Sequence, residues 1–528
     1  MMQPTILMTT EGTYPYQEGG VSTWCDTLIR NLPSHAFVIA SLTGQPETVP
    51  AYQLPPNVRV IDIPLWGTLG AGENRHDLCW RDRRRMRQNA YRIENLNYFR
   101  QLFATLVEDL LTPELRSHRL SWILRALANL FTTCDYDTLL RHQVTWNTFC
   151  HHVQRAMGVG GGHTSAATDG VAPAPPSLRD LSEALQMLTR WLIPIAVPLP
   201  KCSIVHATSA GLASLPAIVA RVQHGTPFLL TEHGIYLRER LLFWSHADVT
   251  PFIKWFTMRV TRRIVELSLA IADIVAPVSA WNRRWEEFLG APRSRIKPIL
   301  NGVNTTRFAL QPMPSWERPT MVWVGRIDPL KDLLTLIEAA ALVRNELPSA
   351  RVLLYGKAPA GNESYEMACR SRIASLNLEH TVFFKGFSQS PEEAFAQGHM
   401  SVLSSISEGM PFSVIEAMLC GRPVVGTAVG GVPEILEEGG LVVPPRNPDA
   451  FADACKYVLK DPKKCEKMGL LARSYAESNF SLAQCIRAYD ELYLQLQERQ
   501  ANRQLETRLH TMVYVPRSVG VVFDGAMD

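Results

Sequence analysis

The stretch from Ser407 to Glu434 most constrains the fold, because it places a loop, a helix, a strand and a glycine-rich turn in immediate succession. Gly409 and Pro411 predict that Glu408 lies in a loop rather than inside a helix. From Ser413, a plausible N-cap, apolar residues recur at helical spacing, which puts Glu416 in the first turn of a helix. The apolar strand Arg422–Gly426 and the turn Gly430–Glu434 follow. Such a succession is typical of a parallel α/β sheet.

Two carboxylates in this stretch form a candidate binding site. Glu408 at the loop tip and Glu416 in the helix point toward a common pocket, and carboxylates accept hydrogen bonds from the paired hydroxyls of sugar and ribose rings. The backbone of Gly409, Met410, Pro411 and Phe412 leads into the helix N-terminus, which can hold polar or anionic groups. A glutamate in a first helical turn is also an ordinary partner of the helix dipole, so the spacing alone leaves both interpretations open.

A similar strand, loop and helix begin the chain. Thr5–Thr9 predicts a buried strand, a loop with the pair Gly19 and Gly20 follows, and apolar residues from Val21 to Ile29 predict a helix. This is the start of a Rossmann-like unit, whose helix N-terminus can face a phosphate. Further apolar runs predict strands at Phe37–Ser41, Val58–Ile63, Ile204–Ala207, Phe228–Thr231, Ala272–Ser279, Thr320–Gly325, Arg351–Gly356, Val382–Gly386 and Ser401–Ser404.

Two cations flank the loop after the predicted strand Thr320–Gly325. Arg326 and Lys331 precede a helix over Leu333–Val343, for which Asp332 can serve as N-cap. Two cations beside a helix N-terminus can clamp a diphosphate without a metal, although each alone is an ordinary surface charge.

Two further strand ends carry candidate ligand contacts. His233 follows the strand Phe228–Thr231, and doubly wound sheets bind ligands at the carboxyl ends of their strands; a structural histidine capping a loop is the alternative. Gly386 and Phe387 end another strand, where Phe387 either stacks near a nucleotide base or packs in the core.

These motifs resemble one enzyme family. The pair Glu408 and Glu416 with the downstream Gly430–Glu434 resembles the E-x7-E and G-G-x-P-E motifs of retaining glycosyltransferases of family 4, which have the GT-B fold. Arg326 and Lys331 match the family's G-R-x(4)-K element, apart from Asp332, where a small residue is common. The strings EGTYPYQEGGVSTW and EHGIYLRER resemble the PelF-like subgroup of Pel exopolysaccharide synthesis. The resemblance covers about residues 5–45 and 200–490.

The resemblance implies a function and a role for each motif. The chain is expected to be a cytosolic retaining glycosyltransferase that moves a sugar from a UDP-sugar to a growing polysaccharide. Glu408, His233, Arg326 and Lys331 are the expected catalytic residues. Arg326, Lys331 and Glu408 are also expected to bind the nucleotide sugar, together with the remaining candidates Gly19, Gly20, Gly386, Phe387, Gly409, Met410, Pro411, Phe412 and Glu416. No cofactor and no metal are expected. A sugar-nucleotide epimerase, a phosphorylase or a non-catalytic nucleotide-sugar sensor on the same fold remain alternatives.

Composition limits the partners. A chain of 528 residues can form two or three domains, and a net charge of +3 gives no reason to expect a nucleic-acid partner. The 10 scattered cysteines suit reduced thiols in the cytoplasm, and the first residues lack the pattern of a signal peptide. Because the resembled subgroup makes an exported polymer, we expect peripheral association with inner-membrane export proteins.

The predicted organisation is two facing Rossmann-like domains. Residues 1–305 form the N-terminal acceptor-side domain, with a mostly helical insertion at about 66–200. Residues 306–485 form the nucleotide-sugar-binding domain, and residues 486–528 form a returning helix with a tail. Within the insertion, the arginine-rich run Trp80–Arg87 is either a contact surface for acidic lipid or polymer, or a solvated helix face. Met157–Pro176 is low in complexity, which predicts a mobile surface loop or a linker.

Overall fold

The computed structural model describes residues 4–46, 49–66, 79–158, 174–359 and 361–513, with side chains described as far as residue 502. Over these ranges the chain forms two six-stranded sheets whose paired strands all run parallel. The predicted α/β class with two Rossmann-like domains is therefore confirmed. The low-complexity run falls mostly on residues 159–173, and the tail beyond residue 513 also lies outside the described residues.

The first sheet has the strand order β3-β2-β1-β4-β5-β6. Apart from the edge strand at Val58–Pro64, its strands are almost continuously buried because helices cover both faces of a parallel sheet. Alternate side chains of β1 enter separate cores, since Leu7 packs on one face while Ile6 and Met8 pack on the other. The strands are β1 Thr5–Glu11, β2 Ala36–Thr43, β3 Val58–Pro64, β4 Ile204–Ala207, β5 Phe228–Glu232 and β6 Ile274–Pro277.

Helices of the first domain fall into two groups. Those that connect or flank its strands are α1 Gly20–Asn31, α9 Ser214–His224, α10 Tyr236–His246, α11 Pro251–Ile271 and α12 Asn282–Phe288. Those in the described part of the predicted insertion are α2 Trp80–Ala90, α3 Ile93–Leu111, α4 Ser117–Thr133, α5 Tyr136–Leu140, α6 Gln143–Ala156, α7 Leu178–Trp191 and α8 Ile193–Ala196. The insertion is helical where it is described, and its apolar faces extend the core on one side of the sheet.

The second sheet has the order β12-β11-β10-β7-β8-β9. Its strands are β7 Thr320–Val324, β8 Arg351–Tyr355, β9 Val382–Gly386, β10 Met400–Leu403, β11 Val424–Thr427 and β12 Gly440–Val443. Its helices are α13 Leu333–Glu346, α14 Glu363–Ser375, α15 Pro391–Ala396, α16 Phe412–Leu419, α17 Val432–Ile435, α18 Pro448–Leu459 and α19 Pro462–Asn479. A 3-10 turn, Pro329–Lys331, precedes α13. Asp332 caps α13 as predicted, accepting a hydrogen bond from the amide of Thr335.

The last helix, α20 Leu482–Val513, leaves the second domain and packs on the first sheet. The Tyr493 hydroxyl lies 2.7 Å from Nδ1 of His206 on β4, and Tyr489 contacts Thr231 on β5 at 3.3 Å. The boundary predicted at residue 486 therefore falls inside α20. Over the described residues, no helix combines the length and apolarity needed to cross a bilayer.

Candidate functional site

The candidate site lies where the strand order of each sheet reverses. In the second sheet this point is between β7 and β10, and in the first between β1 and β4. Loops at the carboxyl ends of such strands diverge to opposite sides and leave a crevice, which is the usual ligand site of doubly wound sheets. The loop after β7 carries Arg326 and Lys331, and the loop after β10 carries Glu408.

Lys331 and Glu408 form a direct ion pair across these two loops. The Lys331 ammonium lies 2.6 Å from Oε1 of Glu408, and only 20% and 8% of the two side chains are exposed. Ser405 donates a hydrogen bond of 2.5 Å to the same carboxylate oxygen. The two loops are also joined through Ser404 Oγ, which donates to the carbonyl of Lys331 at 2.9 Å. Since a partly buried pair is costly to separate, the two side chains are held in place before any ligand arrives.

Arg326 differs from Lys331 in its surroundings. It is exposed at the end of β7, and it forms no ion pair with a residue in the described ranges. The two cations predicted to bind a diphosphate thus lie on one loop. Lys331 is neutralised by Glu408, and Arg326 is exposed to solvent.

The position of Glu416 corrects one prediction. Helix α16 begins at Phe412 with Pro411 as its N-cap, so Ser413 is not the cap and Glu416 lies in the second turn. Proline at the cap position ends the preceding loop earlier than the apolar spacing indicated. Glu416 is half-buried, and burial raises the pKa of its carboxyl to about 7, against the opposing effect of Arg307.

Glycines let the Glu408 loop approach the first domain closely. A methyl group on Gly409 would lie 1.5 Å from the carbonyl oxygen of His233, so only glycine fits there. Gly430 has φ +53°, and a methyl group there would lie 1.9 Å from the Glu408 carbonyl oxygen. The Gly431 amide then donates to the Gly409 carbonyl at 2.7 Å. The glycine-rich turn therefore positions the backbone of the Glu408 loop.

His233 lies at the end of β5, facing the Glu408 loop. Its ring packs edge-on against Trp24, with ring centroids 4.6 Å apart. Burial lowers the pKa of His233 to about 3, so the imidazole is neutral near pH 7. Its Nε2 atom is buried without a hydrogen-bond partner in the described structure. A neutral imidazole with a free nitrogen can exchange a hydrogen bond with a ligand hydroxyl.

Two contacts bring the N-terminal loop of the first domain against the second. Gly20 begins α1, and a methyl group on it would lie 3.7 Å from the ring of Phe412. Gly19 is the N-cap of the same helix, and its side-chain position is open. Glu18 forms an ion pair of 3.2 Å with Lys357, which follows β8. The N-terminus of α1 therefore faces the N-terminus of α16.

Gly386 and Phe387 lie farther along the same edge of the second sheet. Gly386 has φ +77°, a conformation that favours glycine, and turns the chain after β9. The Phe387 ring is 51% exposed, and the Lys357 ammonium lies 4.9 Å from its centre. The exposed ring is available for stacking, in contrast to the alternative of packing in the core.

Sequence reasoning missed two contributors on α10. The Arg238 guanidinium donates to the Ser407 hydroxyl and, at 3.0 Å, to the carbonyl of Ile406, so it fixes the Glu408 loop from the first domain. Glu239 lies against Gly234, and its carboxylate forms no hydrogen bond within the described part of the chain. Desolvation raises the pKa of Glu239; the Arg240 guanidinium opposes the rise, and the Glu408 carboxylate adds to it. The string EHGIYLRER drew attention to His233 alone, because contacts of the later residues depend on how the two domains meet.

The described residues contain no candidate metal site, since no three His, Cys, Asp or Glu side chains among them are arranged to hold an ion. The expectation that the reaction needs no metal stays a prediction.

Two family models match the two halves of the chain. A family model described as "Domain of unknown function (DUF3492)" matches residues 4–294, and one described as "Glycosyl transferases group 1" matches residues 318–461. The "Putative glycosyltransferase EpsD" of Bacillus subtilis is 28% identical over 309 residues, which are 55% of this chain and 76% of that protein. A "GDP-mannose-dependent alpha-(1-6)-phosphatidylinositol monomannoside mannosyltransferase" of Mycolicibacterium smegmatis is 28% identical over 43% of this chain and 64% of that one.

Solved structures share the fold. Anabaena HepE, solved in complex with UDP and glucose, superimposes with a TM-score of 0.55 at 15% identity, covering 93% of this chain and 99% of that one. Sucrose-phosphate synthase from Thermosynechococcus elongatus gives a TM-score of 0.59 at 17% identity, covering 94% and 99%. At such low identity the likeness shows the fold alone, and that fold is GT-B.

Proposed function

Because the chain belongs to the family of the domain of unknown function DUF3492 and continues into a glycosyl transferases group 1 domain, we propose that it is a retaining glycosyltransferase. Its donor is a UDP-sugar and its acceptor a growing exopolysaccharide of the Pel type. The observation that carries the proposal is the ion pair of Lys331 with Glu408 at the strand-order reversal of the second sheet, opposite the neutral His233.

The donor diphosphate takes its place at the loop after β7. Arg326 and the Lys331 ammonium stabilise the negative charge that develops on the diphosphate as the bond to the sugar breaks. Glu416 accepts hydrogen bonds from the ribose hydroxyls, and Phe387 offers its exposed ring to the base. The amides at the start of α1, after Gly19, approach the donor from the first domain.

The donor sugar lies between Glu408 and His233. Oε1 of Glu408 is taken by Lys331 and Ser405, which leaves Oε2 to accept from sugar hydroxyls. The His233 Nε2 atom bonds another hydroxyl. The bond between the anomeric carbon and the phosphate oxygen breaks, a bond to the acceptor oxygen forms on the same face, and the acceptor proton passes to the departing diphosphate.

Three lines support the choice of substrates. HepE was solved with UDP and glucose, and EpsD is named a putative glycosyltransferase. The strings around Gly19 and His233 resemble the PelF-like subgroup. The M. smegmatis relative is named for GDP-mannose, so a GDP-sugar is the competing donor.

A panel of UDP- and GDP-sugars in thermal unfolding tests the donor. A ligand present at one hundred times its Kd stabilises the folded protein by about 2.7 kcal/mol, and we expect a UDP-sugar to raise the melting temperature most. A larger rise with GDP-sugars would overturn the UDP assignment. Mixing the best donor with exopolysaccharide should then release UDP and lengthen the polymer.

The turnover assay with donor and exopolysaccharide also distinguishes the alternative functions. An epimerase would convert the donor sugar without an acceptor, a phosphorylase would require inorganic phosphate, and a sensor would bind the donor without turnover. Any of these outcomes contradicts the proposed transfer.

We place the enzyme in the cytoplasm, in peripheral contact with the inner-membrane export proteins that receive its product. Fractionation of cells with and without those export proteins tests this placement. A smaller share of the enzyme in the membrane fraction when they are deleted is the expected result. An unchanged distribution would contradict it.

A further inference from the structure

Helix α2, Trp80–Ala90, has a strongly basic outer face. Residues 80–92 contain six arginines and one acid, Asp82. The outward arginines are exposed; they are Arg81, Arg84, Arg85, Arg87 and Arg92. Asp82 pairs with Arg85 at 3.3 Å, while Arg84, Arg87 and Arg92 form no ion pair with any residue the structure describes. Among the described residues, Asp82 is thus the one acid that forms an ion pair with these outward arginines.

The opposite face of α2 is anchored to the insertion. Met86 and Ala90 are buried, and the amide of Asp135 donates to the Met86 carbonyl at 3.2 Å. The Asn89 side chain donates to the carbonyl of Thr133 at 3.1 Å. Because one face is fixed by these contacts, the arginines are displayed outward in a constant orientation.

Large apolar side chains flank the arginines. Trp80 at the start of the helix is 67% exposed, and Tyr91 and Ile93 just after its end are 64% and 75% exposed. Trp80, Arg84, Arg87 and Tyr91 fall on one stripe, since residues three or four apart share a helix face. Exposed tryptophan and tyrosine beside cations are typical of surfaces that lie in a membrane interface.

We propose that this surface, called here the α2 basic face, docks on a bilayer that contains anionic phospholipids. The arginines bind headgroup phosphates, and Trp80, Tyr91 and Ile93 enter the interface. This docking goes beyond the proposed function, since it adds a direct lipid contact to the protein contact proposed above and requires no transfer reaction. The occupant is a lipid surface because the face combines exposed cations, which suit headgroup phosphates, with exposed aromatic rings, which suit the boundary between headgroups and acyl chains.

Vesicle sedimentation with the full chain tests the proposal. Binding is expected to vesicles of phosphatidylglycerol and phosphatidylcholine in equal parts and to be absent with phosphatidylcholine alone. Binding should weaken as the salt rises from about 0.1 M to about 1 M, because the screening length falls from about 10 Å to about 3 Å.

Two sets of variants localise the contact. Each arginine near an anionic surface contributes about fivefold in binding, so Arg81→Gln/Arg84→Gln/Arg87→Gln should bind about one hundredfold more weakly. The matched control Arg318→Gln/Lys463→Gln/Lys467→Gln makes the same charge change at exposed positions of the second domain and should bind as the wild type does. Trp80→Ser should weaken binding while leaving its salt dependence unchanged.

Three outcomes overturn the proposal. Equal loss in both triple variants would mean that only net charge matters. Binding to export proteins in detergent but not to protein-free vesicles would make the face a protein interface, and no binding in any form would make it a solvated helix face. Failure of sugar transfer in the wild type would contradict the proposed function without affecting the conclusion from vesicle binding.

Discussion

Gly409→Ala offers the sharpest test of the cleft geometry. The added methyl carbon would lie 1.5 Å from the His233 carbonyl oxygen and 2.6 Å from its carbonyl carbon, whereas such contacts are essentially never below 3.0 Å. The obstacle is backbone, which cannot rotate away as a flexible side chain would. The Glu408 loop and the His233 strand end must therefore separate by about 1.5 Å.

That separation acts on catalysis more than on stability. Misplacement of reacting groups by about 1 Å can cost about one hundredfold in rate, so kcat/KM should fall by at least about that factor. The contact joins loops of the two domains, and the largest cluster of each domain consists of that domain's own residues, so the melting temperature should change little. UDP release with donor and acceptor measures the first quantity, and circular dichroism on heating measures the second.

Two further glycine variants complete the experiment. Gly44→Ala is the control, because its added methyl group would meet no described residue within 4 Å and activity should be unchanged. Gly430→Ala should reduce activity as Gly409→Ala does, since it displaces the Glu408 carbonyl. Wild-type kcat/KM in folded Gly409→Ala would refute the argument that this close approach builds the site.

Three other changes are expected to have measurable effects. Lys331→Ala should cost about 2–4 kcal/mol of transition-state stabilisation, measured by steady-state kinetics. Near-normal turnover of this variant would show that Lys331 has no catalytic role. Glu416→Gln should weaken UDP binding about tenfold in calorimetry. Because the Glu416 carboxyl has a pKa of about 7, the affinity of the wild-type protein for UDP should rise from pH 6 to pH 8. The Glu416→Gln variant should show no such rise. Glu286 is buried without a hydrogen-bond partner in the described structure, and burial raises its pKa to about 9. Because the pKa of the folded protein is raised from 4.5, the folded state is most stable at low pH and loses stability as the pH rises toward 9. Glu286→Gln should therefore unfold at a higher temperature than the wild type at pH 9. Equal melting temperatures would contradict this prediction.

Local sequence patterns determined most of the fold. Apolar runs predicted every strand of the described structure except β12, and β4 and β9 have the predicted limits. Capping chemistry predicted the start of α13, since Asp332 can bond only to amides close to it in the chain. The same local reasoning misplaced the start of α16, because a serine and a proline both offered an N-terminus and nothing local decided between them.

The site itself was decided by tertiary structure. Motifs predicted that Glu408 and Lys331 belong to one site, but their direct ion pair depends on β7 and β10 being neighbours in the sheet. The requirement for glycine at position 409 comes from the His233 carbonyl, which belongs to the other domain. Local patterns follow from the energetics of a few adjacent residues. Contacts between residues far apart in the chain depend on how whole sheets and domains pack, and no short stretch of sequence carries that information.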